Sequence, residues 1–290
     1  MFASITLFTI MLALGMGLNP QALVRIRQRP GLFLRVLPAS CLLLPLVALA
    51  LLHLPVGQGL GPSTRIGLAL MAVCPSAPLT LRKAGQKGGD RELAAVLQVS
   101  AAISAIVSVP VMADVYRAAY ATTAWDIGPL EVALQVGRTQ VLPLLVGMAI
   151  QGFKPDLANR IESPLNKLAN GLFLLLVAAV LFKAGPKLLP YISANAMGLL
   201  LMVAMVVISL GLGYSLAGQN RRERITVALV TSMRNPGMAL MFATTHARDL
   251  PGVTVAVLTY VVVTVLLSIP FLKSLNRLEA QETGLAARAS

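Results

Sequence analysis

The sequence predicts an all-α polytopic membrane protein, on three observations. Of its 290 residues 57% are hydrophobic and only 12% charged, against about 25% charged in an ordinary soluble domain. Apolar runs such as Leu168 to Phe182 and Ala196 to Leu210 do not alternate with polar residues, as barrel strands of about 10 residues must, so the spans are helices of roughly 20 residues. Finally, two apolar stretches carry helix breakers where a membrane helix is normally unbroken: Met71-Ala72-Val73-Cys74-Pro75-Ser76-Ala77-Pro78-Leu79-Thr80, and Val230-Thr231-Ser232-Met233-Arg234-Asn235-Pro236-Gly237-Met238-Ala239.

Taken in order, with Arg, Lys, Pro, Gly and Asn clusters as punctuation, the spans fall at about 2–18, 32–52, 64–84, 93–112, 130–151, 168–186, 196–216, 225–246 and 253–272. That is about nine transmembrane helices, in a single domain over 1–272 with a short cytoplasmic tail at 273–290 that is polar and expected to fray. The first 18 residues hold no positive charge, and arginines follow at 25, 27 and 29. This is a retained first span with its N-terminus outside, not a secretory signal. Alternating from there, cytoplasmic segments carry Arg82, Lys83, Lys87, Arg91, Lys154, Arg160, Lys167, Arg221, Arg222, Arg224, Lys273 and Arg277. External ones carry only Arg65, Arg117, Lys183, Lys187 and Arg248. Ala113 to Pro129, with Tyr116, Tyr120 and Trp125, reads as an external loop with interfacial aromatics.

The net charge of +13 follows from this positive-inside bias. No basic helix with interleaved aromatics is present, so nucleic acid is not an expected partner; the lipid bilayer is. Cys41 and Cys74 have no His or Cys nearby at metal spacing, which indicates neither a disulfide framework nor a metal site. No HExxH, GxSxG, paired Asp-rich motif or membrane-embedded carboxylate pair occurs. An enzyme is therefore not expected, and a proton pump is disfavoured.

The breakers have a physical consequence. A proline within a helix removes a donor, so Pro75 and Pro78 free the carbonyls of Met71 and Cys74, and Pro236 that of Ser232. Freed backbone groups cannot face lipid, and interrupted segments in two chain halves point to a transporter's binding site near mid-membrane. Arg234 lies at the second break. A cation at helix centre costs about 2.5–3.5 kcal/mol on insertion scales and faces a cavity or a partner; the alternative is a later helix start that leaves Arg234 interfacial. Arg138 shares a span with Gln135, Thr139 and Gln140, either buried in a polar stripe or snorkelling outward. Gln98, Ser100, Ser104 and Ser108 fall near one side of the fourth span; small polar residues there by default serve helix packing, whereas Gln98 is bulkier. His53 and His246 sit at loop edges and read as solvated.

The order Gly15-Met16-Gly17-Leu18, Cys74-Pro75-Ser76-Ala77-Pro78, Gly89-Asp90-Arg91-Glu92-Leu93 and Arg234-Asn235-Pro236-Gly237-Met238-Ala239-Leu240 resembles the bile acid:sodium symporter family over nearly the whole chain. The resemblance implies an inverted-repeat transporter with core and panel domains and two broken crossing helices, here lacking the leading helix. It also implies alternating access and a small organic anion as substrate: bile-acid-like, steroid, or a small carboxylate or sulfonate. The positions expected to bind substrate are Ser76, Thr80, Gln98, Arg234 and Asn235, which align with family site positions, and Arg138, from its polar stripe.

Carried over by position, the family's sodium ligands are mostly replaced. Ser76 and Ala77, then Thr80 and Leu81, stand for Gly-Gly and Ser-Asn; Ala94 and Gln98 for Ser and Thr; Ser40 for Gln; and Val230 with Arg234-Asn235 for Glu with Gln-Asn. Sodium needs several hard oxygen ligands. Positions 230 and 234 share a helix face, so the expectation is that the Arg234 guanidinium fills the sodium space as a tethered cation. It would bond the free carbonyls at the crossover, or Gln98, or a substrate anion directly. No cofactor is expected, and sodium coupling gives way to sodium-independent transport or exchange. A non-transporting receptor or assembly subunit on the same fold is the rival reading. The basic pI and short loops suggest a bacterial inner membrane.

Overall fold

The computed structural model describes residues 2–18, 24–76, 88–120, 126–250 and 252–289, and among these it is all helical. Helix α1 is Phe2–Met16 and is followed by the short α2, Val24–Gln28. Next come α3 (Pro30–Pro38), a π-helical turn (Ala39–Leu43) and α4 (Leu44–His53), which together make one span, then the short α5 (Pro55–Gln58) and α6 (Pro62–Val73). Helix α7 is Arg91–Tyr120. Helices α8 (Pro129–Val136) and α9 (Leu142–Phe153) are joined by a second π turn, Gly137–Val141. The chain ends with α10 (Pro155–Ala194), α11 (Ala196–Leu216), α12 (Arg221–Ser232), α13 (Pro236–His246) and α14 (Gly252–Ala289).

Five segments among the described residues are long and apolar enough to cross a membrane: Pro30–His53, Arg91–Tyr120, Pro129–Phe153, Ala196–Leu216 and Gly252–Leu275. Both breaker-containing stretches are indeed interrupted. Helix α6 stops at Val73, two residues before Pro75. Helix α12 stops at Ser232, and α13 starts on Pro236, where the missing N–H costs nothing.

One expectation about the elements is corrected. The segment from Ala113 is not a loop up to Pro129: α7 continues to Tyr120, and Tyr116 is fully buried, its hydroxyl donating to the Pro45 carbonyl at 2.8 Å. Trp125 lies outside the described residues. The tail after Lys273 continues α14 as helix to Ala289. Lys154 is the N-cap of α10, and Arg160 and Lys167 lie on it, as α10 runs on from Pro155 through the expected span with its prolines at 164, 186 and 190 accommodated within the helix.

Helices α1, α9 and α10 pack on one another, while α4, α6, α7, α8, α11, α13 and α14 contribute to one large apolar cluster. The α1–α9 contact is backbone on backbone. A Cβ on Gly147 would lie 2.4 Å from the Leu12 carbonyl oxygen and one on Gly15 would collide with the Leu144 carbonyl, so only glycine allows this approach. The interrupted helices lie within the second group, where α6 and α13 both pack on α14.

Candidate functional site

The two interruptions meet. The Asn235 N–H donates to the Cys74 carbonyl at 3.1 Å, which ties the ends of the broken segments together. Arg234, one residue earlier, is 2% exposed and is the largest fully buried side chain. Its Nε donates to the Met71 carbonyl at 3.1 Å, its Nη1 to both the carbonyl and the hydroxyl of Ser40 at 3.0 Å, and its Nη2 to the Ala72 carbonyl.

Each of these carbonyls is free for a reason written in the chain. Met71 has no helical donor because Pro75, four residues on, has no N–H. Ala72 lies in the last turn of α6, where carbonyls lack partners inside the helix. Ser40 lies in the π turn, in which the Leu44 N–H reaches back to Ala39. The π-register partner of Ser40 would then be Pro45, again without an N–H. A buried charge costs several kcal/mol unless it is well hydrogen-bonded, and here four oxygens from two segments, α6 and the first π turn, supply the bonds. Among the described residues no carboxylate pairs with it, and its hydrogen-bond partners there are three carbonyls and the Ser40 hydroxyl.

Several buried polar atoms have no hydrogen-bond partner among the described residues: the Ser76 hydroxyl and Asn235 Nδ2 at the crossing, and both amide atoms of Gln98 on α7. Asn235 Oδ1 caps α13 by accepting from the Met238 N–H at 3.2 Å, and the Ala239 N–H bonds the Asn235 carbonyl. The start of α13 is thus largely self-satisfied, leaving little for an anion. Ser76 sits at φ 36°, a left-handed conformation that favours glycine.

The positions expected to bind substrate are therefore partly brought together. Arg234, Asn235 and Ser76 lie at or beside the crossing. Gln98 is buried on α7, which packs against α12, and Arg234 does not bond it. Thr80 lies outside the described residues. Arg138 is exposed on the second π turn, in an open recess of about 400 Å³ with Ser4, Ile5, Phe8, Gln135 and Thr139. Val230 is buried beside this region at 1% exposure, with no charge to offer. Sequence reasoning missed the aromatic hydroxyls of Tyr116 and Tyr260, which no breaker marks. It also missed a contact at the far end of α13: His246, expected to be solvated, has Nε2 at 3.0 and 2.9 Å from the two oxygens of Glu131.

This geometry sits in a chain whose residues 4–219 match the sodium bile acid symporter family. The chain belongs to the sodium bile acid symporter family. No match was found among curated proteins. Membership makes it an integral membrane protein of a transporter family, not of an enzyme family, whose members carry bile-acid-like organic anions. The matched residues take in the first interruption and end before α12, so the segment holding Val230 and Arg234 lies beyond them.

Proposed function

We propose that the chain is a secondary transporter of about nine spans that moves an organic anion by alternating access, as the panel helices rock against the core, and that it does so without sodium. The observation that carries this reading is the fourfold hydrogen bonding of the Arg234 guanidinium at the crossing. A sodium ion there would need hard oxygens, ideally including a carboxylate. The carbonyls of Met71, Ala72 and Ser40 already accept from a resident cation, and the position that resembles the family's carboxylate is Val230. Two unit charges about 4 Å apart repel by roughly 4 kcal/mol at an effective dielectric constant of 20. The residues therefore do not fit sodium, and no step is routed through it.

Arg234 holds its charge in place and presents it from behind the site. The substrate's carboxylate or sulfonate would meet the donors that remain: Gln98 Nε2, Asn235 Nδ2 and the Ser76 hydroxyl, with Thr80 as the resemblance implies. Because a tethered cation does not travel, the cycle carries only the substrate's own charge, as exchange or substrate-driven flux.

The test is uptake of a bile acid and of small carboxylates into proteoliposomes, with sodium chloride against choline chloride at equal ionic strength. The same comparison is made for the melting temperature of the purified protein. Saturable, sodium-indifferent uptake is expected. A sodium-specific rise in melting temperature, worth about 2.7 kcal/mol at a hundredfold excess over Kd, would overturn the cation reading; no saturable uptake of any anion would favour a receptor on the same fold.

A further inference from the structure

One face of the span Pro129–Phe153 carries a row of leucines, Leu130, Leu134, Leu142 and Leu145, at helical spacing and between 44% and 72% exposed. Exposed leucines in a row along a membrane-crossing helix are a surface for lipid. Arg138 falls within this row, while Val132, Val136 and Gln140 of the same span are buried. A cation inside a span normally faces the bundle interior or pairs with another group. Arg138 is exposed, and it has no hydrogen bond or ion pair among the described residues. No acid is at hand to supply one: residues 2–18 of α1 carry no charge, and the single acid of the span, Glu131, has both oxygens at 3.0 and 2.9 Å from His246 Nε2.

The recess beside Arg138 holds about 400 Å³ and is lined by Ser4, Ile5 and Phe8 of α1 together with Gln135, Arg138 and Thr139. Ile5 and Phe8 are exposed apolar side chains. The Thr139 hydroxyl is spent on the Gln135 carbonyl at 2.6 Å, whereas the Ser4 hydroxyl and the Gln135 amide have no described partner. One guanidinium and two neutral donors therefore stand next to apolar surface. Helices α1 and α9 run parallel, since Ser4 and Phe8 lie by residues 135–139 while Gly15 lies by Leu144 and Gly147. Arg138 is nine residues, about 13 Å, in from Pro129. Helical side chains lean toward the helix N-terminus, and an arginine keeps its stem in hydrocarbon while its head reaches the interface. The guanidinium is thus carried toward the membrane face at which α1 and α8 begin.

We propose that this recess holds the headgroup of an anionic phospholipid from the surrounding bilayer, with its phosphate on Arg138 and its acyl chains along Ile5, Phe8 and the leucine row. A guanidinium donates two parallel N–H bonds to a phosphate, and Ser4 and Gln135 add neutral donors. No carboxylate lines the recess to receive the ammonium of a zwitterionic lipid. A headgroup of net negative charge is therefore the one that fits.

The test needs neither transport nor sodium. Protein purified in mild detergent is given equal amounts of phosphatidylglycerol and phosphatidylcholine with the same acyl chains, and the bound lipids are counted by native mass spectrometry. The expected result is a several-fold preference for phosphatidylglycerol, falling to near equality in Arg138→Gln and partly kept in Arg138→Lys. Should Arg138→Gln fail to fold, as judged by its melting temperature in detergent, Ser4→Asp decides it, because a carboxylate in the recess neutralises the cation and should abolish the same preference. Equal retention of the two lipids by the parent protein, or a preference undiminished in Arg138→Gln, would overturn the proposal. Displacement of the bound lipid by glycerol phosphate, which lacks acyl chains, would overturn it in favour of a free phosphate, and displacement by a bile acid in favour of the transported anion. A dimer that is lost in Arg138→Gln would overturn it in favour of a second copy of the chain. None of these outcomes alters the role of Arg234 or organic-anion transport through the crossing.

Discussion

Two arginines lie within apolar spans of this chain, each beside an irregular stretch of helix, and their fates differ. Arg234 is buried, and each nitrogen of its guanidinium donates to oxygen acceptors. Arg138 is exposed, in an open recess shared with α1. Local sequence does not separate them. Arg138 also sits in a π turn that stops one residue short of a Leu-Pro pair, Leu142-Pro143, as the Ser40 turn stops at Leu44-Pro45. In its turn, however, the carbonyl freed by the proline is its own, since the Leu142 N–H reaches Gly137. Arg234 instead faces carbonyls freed in two other helices. What buries a cation here is a set of acceptors from elsewhere in the chain, converging on one point.

The comparison can be broken most sharply at Arg234. Arg234→Met would leave three buried carbonyls and a hydroxyl without their donor, and unsatisfied buried groups cost about 1–3 kcal/mol each. A loss of about 3 kcal/mol or more is expected, read as a large drop in melting temperature of the detergent-purified protein. Arg234→Lys should fall between, because an ammonium is a point donor that cannot span acceptors on both α6 and the first π turn. An Arg234→Met protein that melts like the parent would mean that the bonds at the crossing carry no net stability.

Next in size is a gain. Ser76 holds a positive φ where the family resemblance places glycine, and that conformation costs a non-glycine residue roughly 1–2 kcal/mol. Ser76→Gly should recover up to about 1 kcal/mol after the added chain entropy of glycine is subtracted. If its hydroxyl contributes to substrate binding, the same variant weakens uptake while raising the melting temperature. A fall in both would point to a packing role for Ser76.

The smallest effect is expected at Arg138. Exposed and without a described partner bond, its replacement by Gln should change stability by no more than about 0.5 kcal/mol. A larger loss in melting temperature would show that Arg138 is engaged in the membrane in a way the isolated chain does not reveal, and the contrast with Arg234 would narrow.

Much of the crossing was legible before any coordinates. The rule that proline frees the carbonyl four residues back named Met71 and Cys74, and these oxygens accept from Arg234 and from the Asn235 N–H. The same rule applied to Pro45 points to the Cys41 carbonyl. The π turn moves the freed carbonyl to Ser40, and a π turn leaves no signature in composition or period. Tyr116 reads as an interfacial loop residue in the sequence, where the charged Asp114 and Arg117 lie beside it. Both charges sit on the solvent side of a helix that continues past them, paired with each other at 2.5 Å. His246 was read as solvated because helix ends commonly are, and its partner Glu131 is 115 residues away.

By itself, the sequence determined the membrane class, the helical architecture, the two interruptions and the presence of a cation at one of them, since these follow from apolar length, backbone chemistry and the insertion cost of charge. Only the tertiary structure decided which oxygens Arg234 binds, that Arg138 lies elsewhere, and that His246 meets Glu131. Such pairings depend on where distant helices come to rest, and no local period or propensity encodes that.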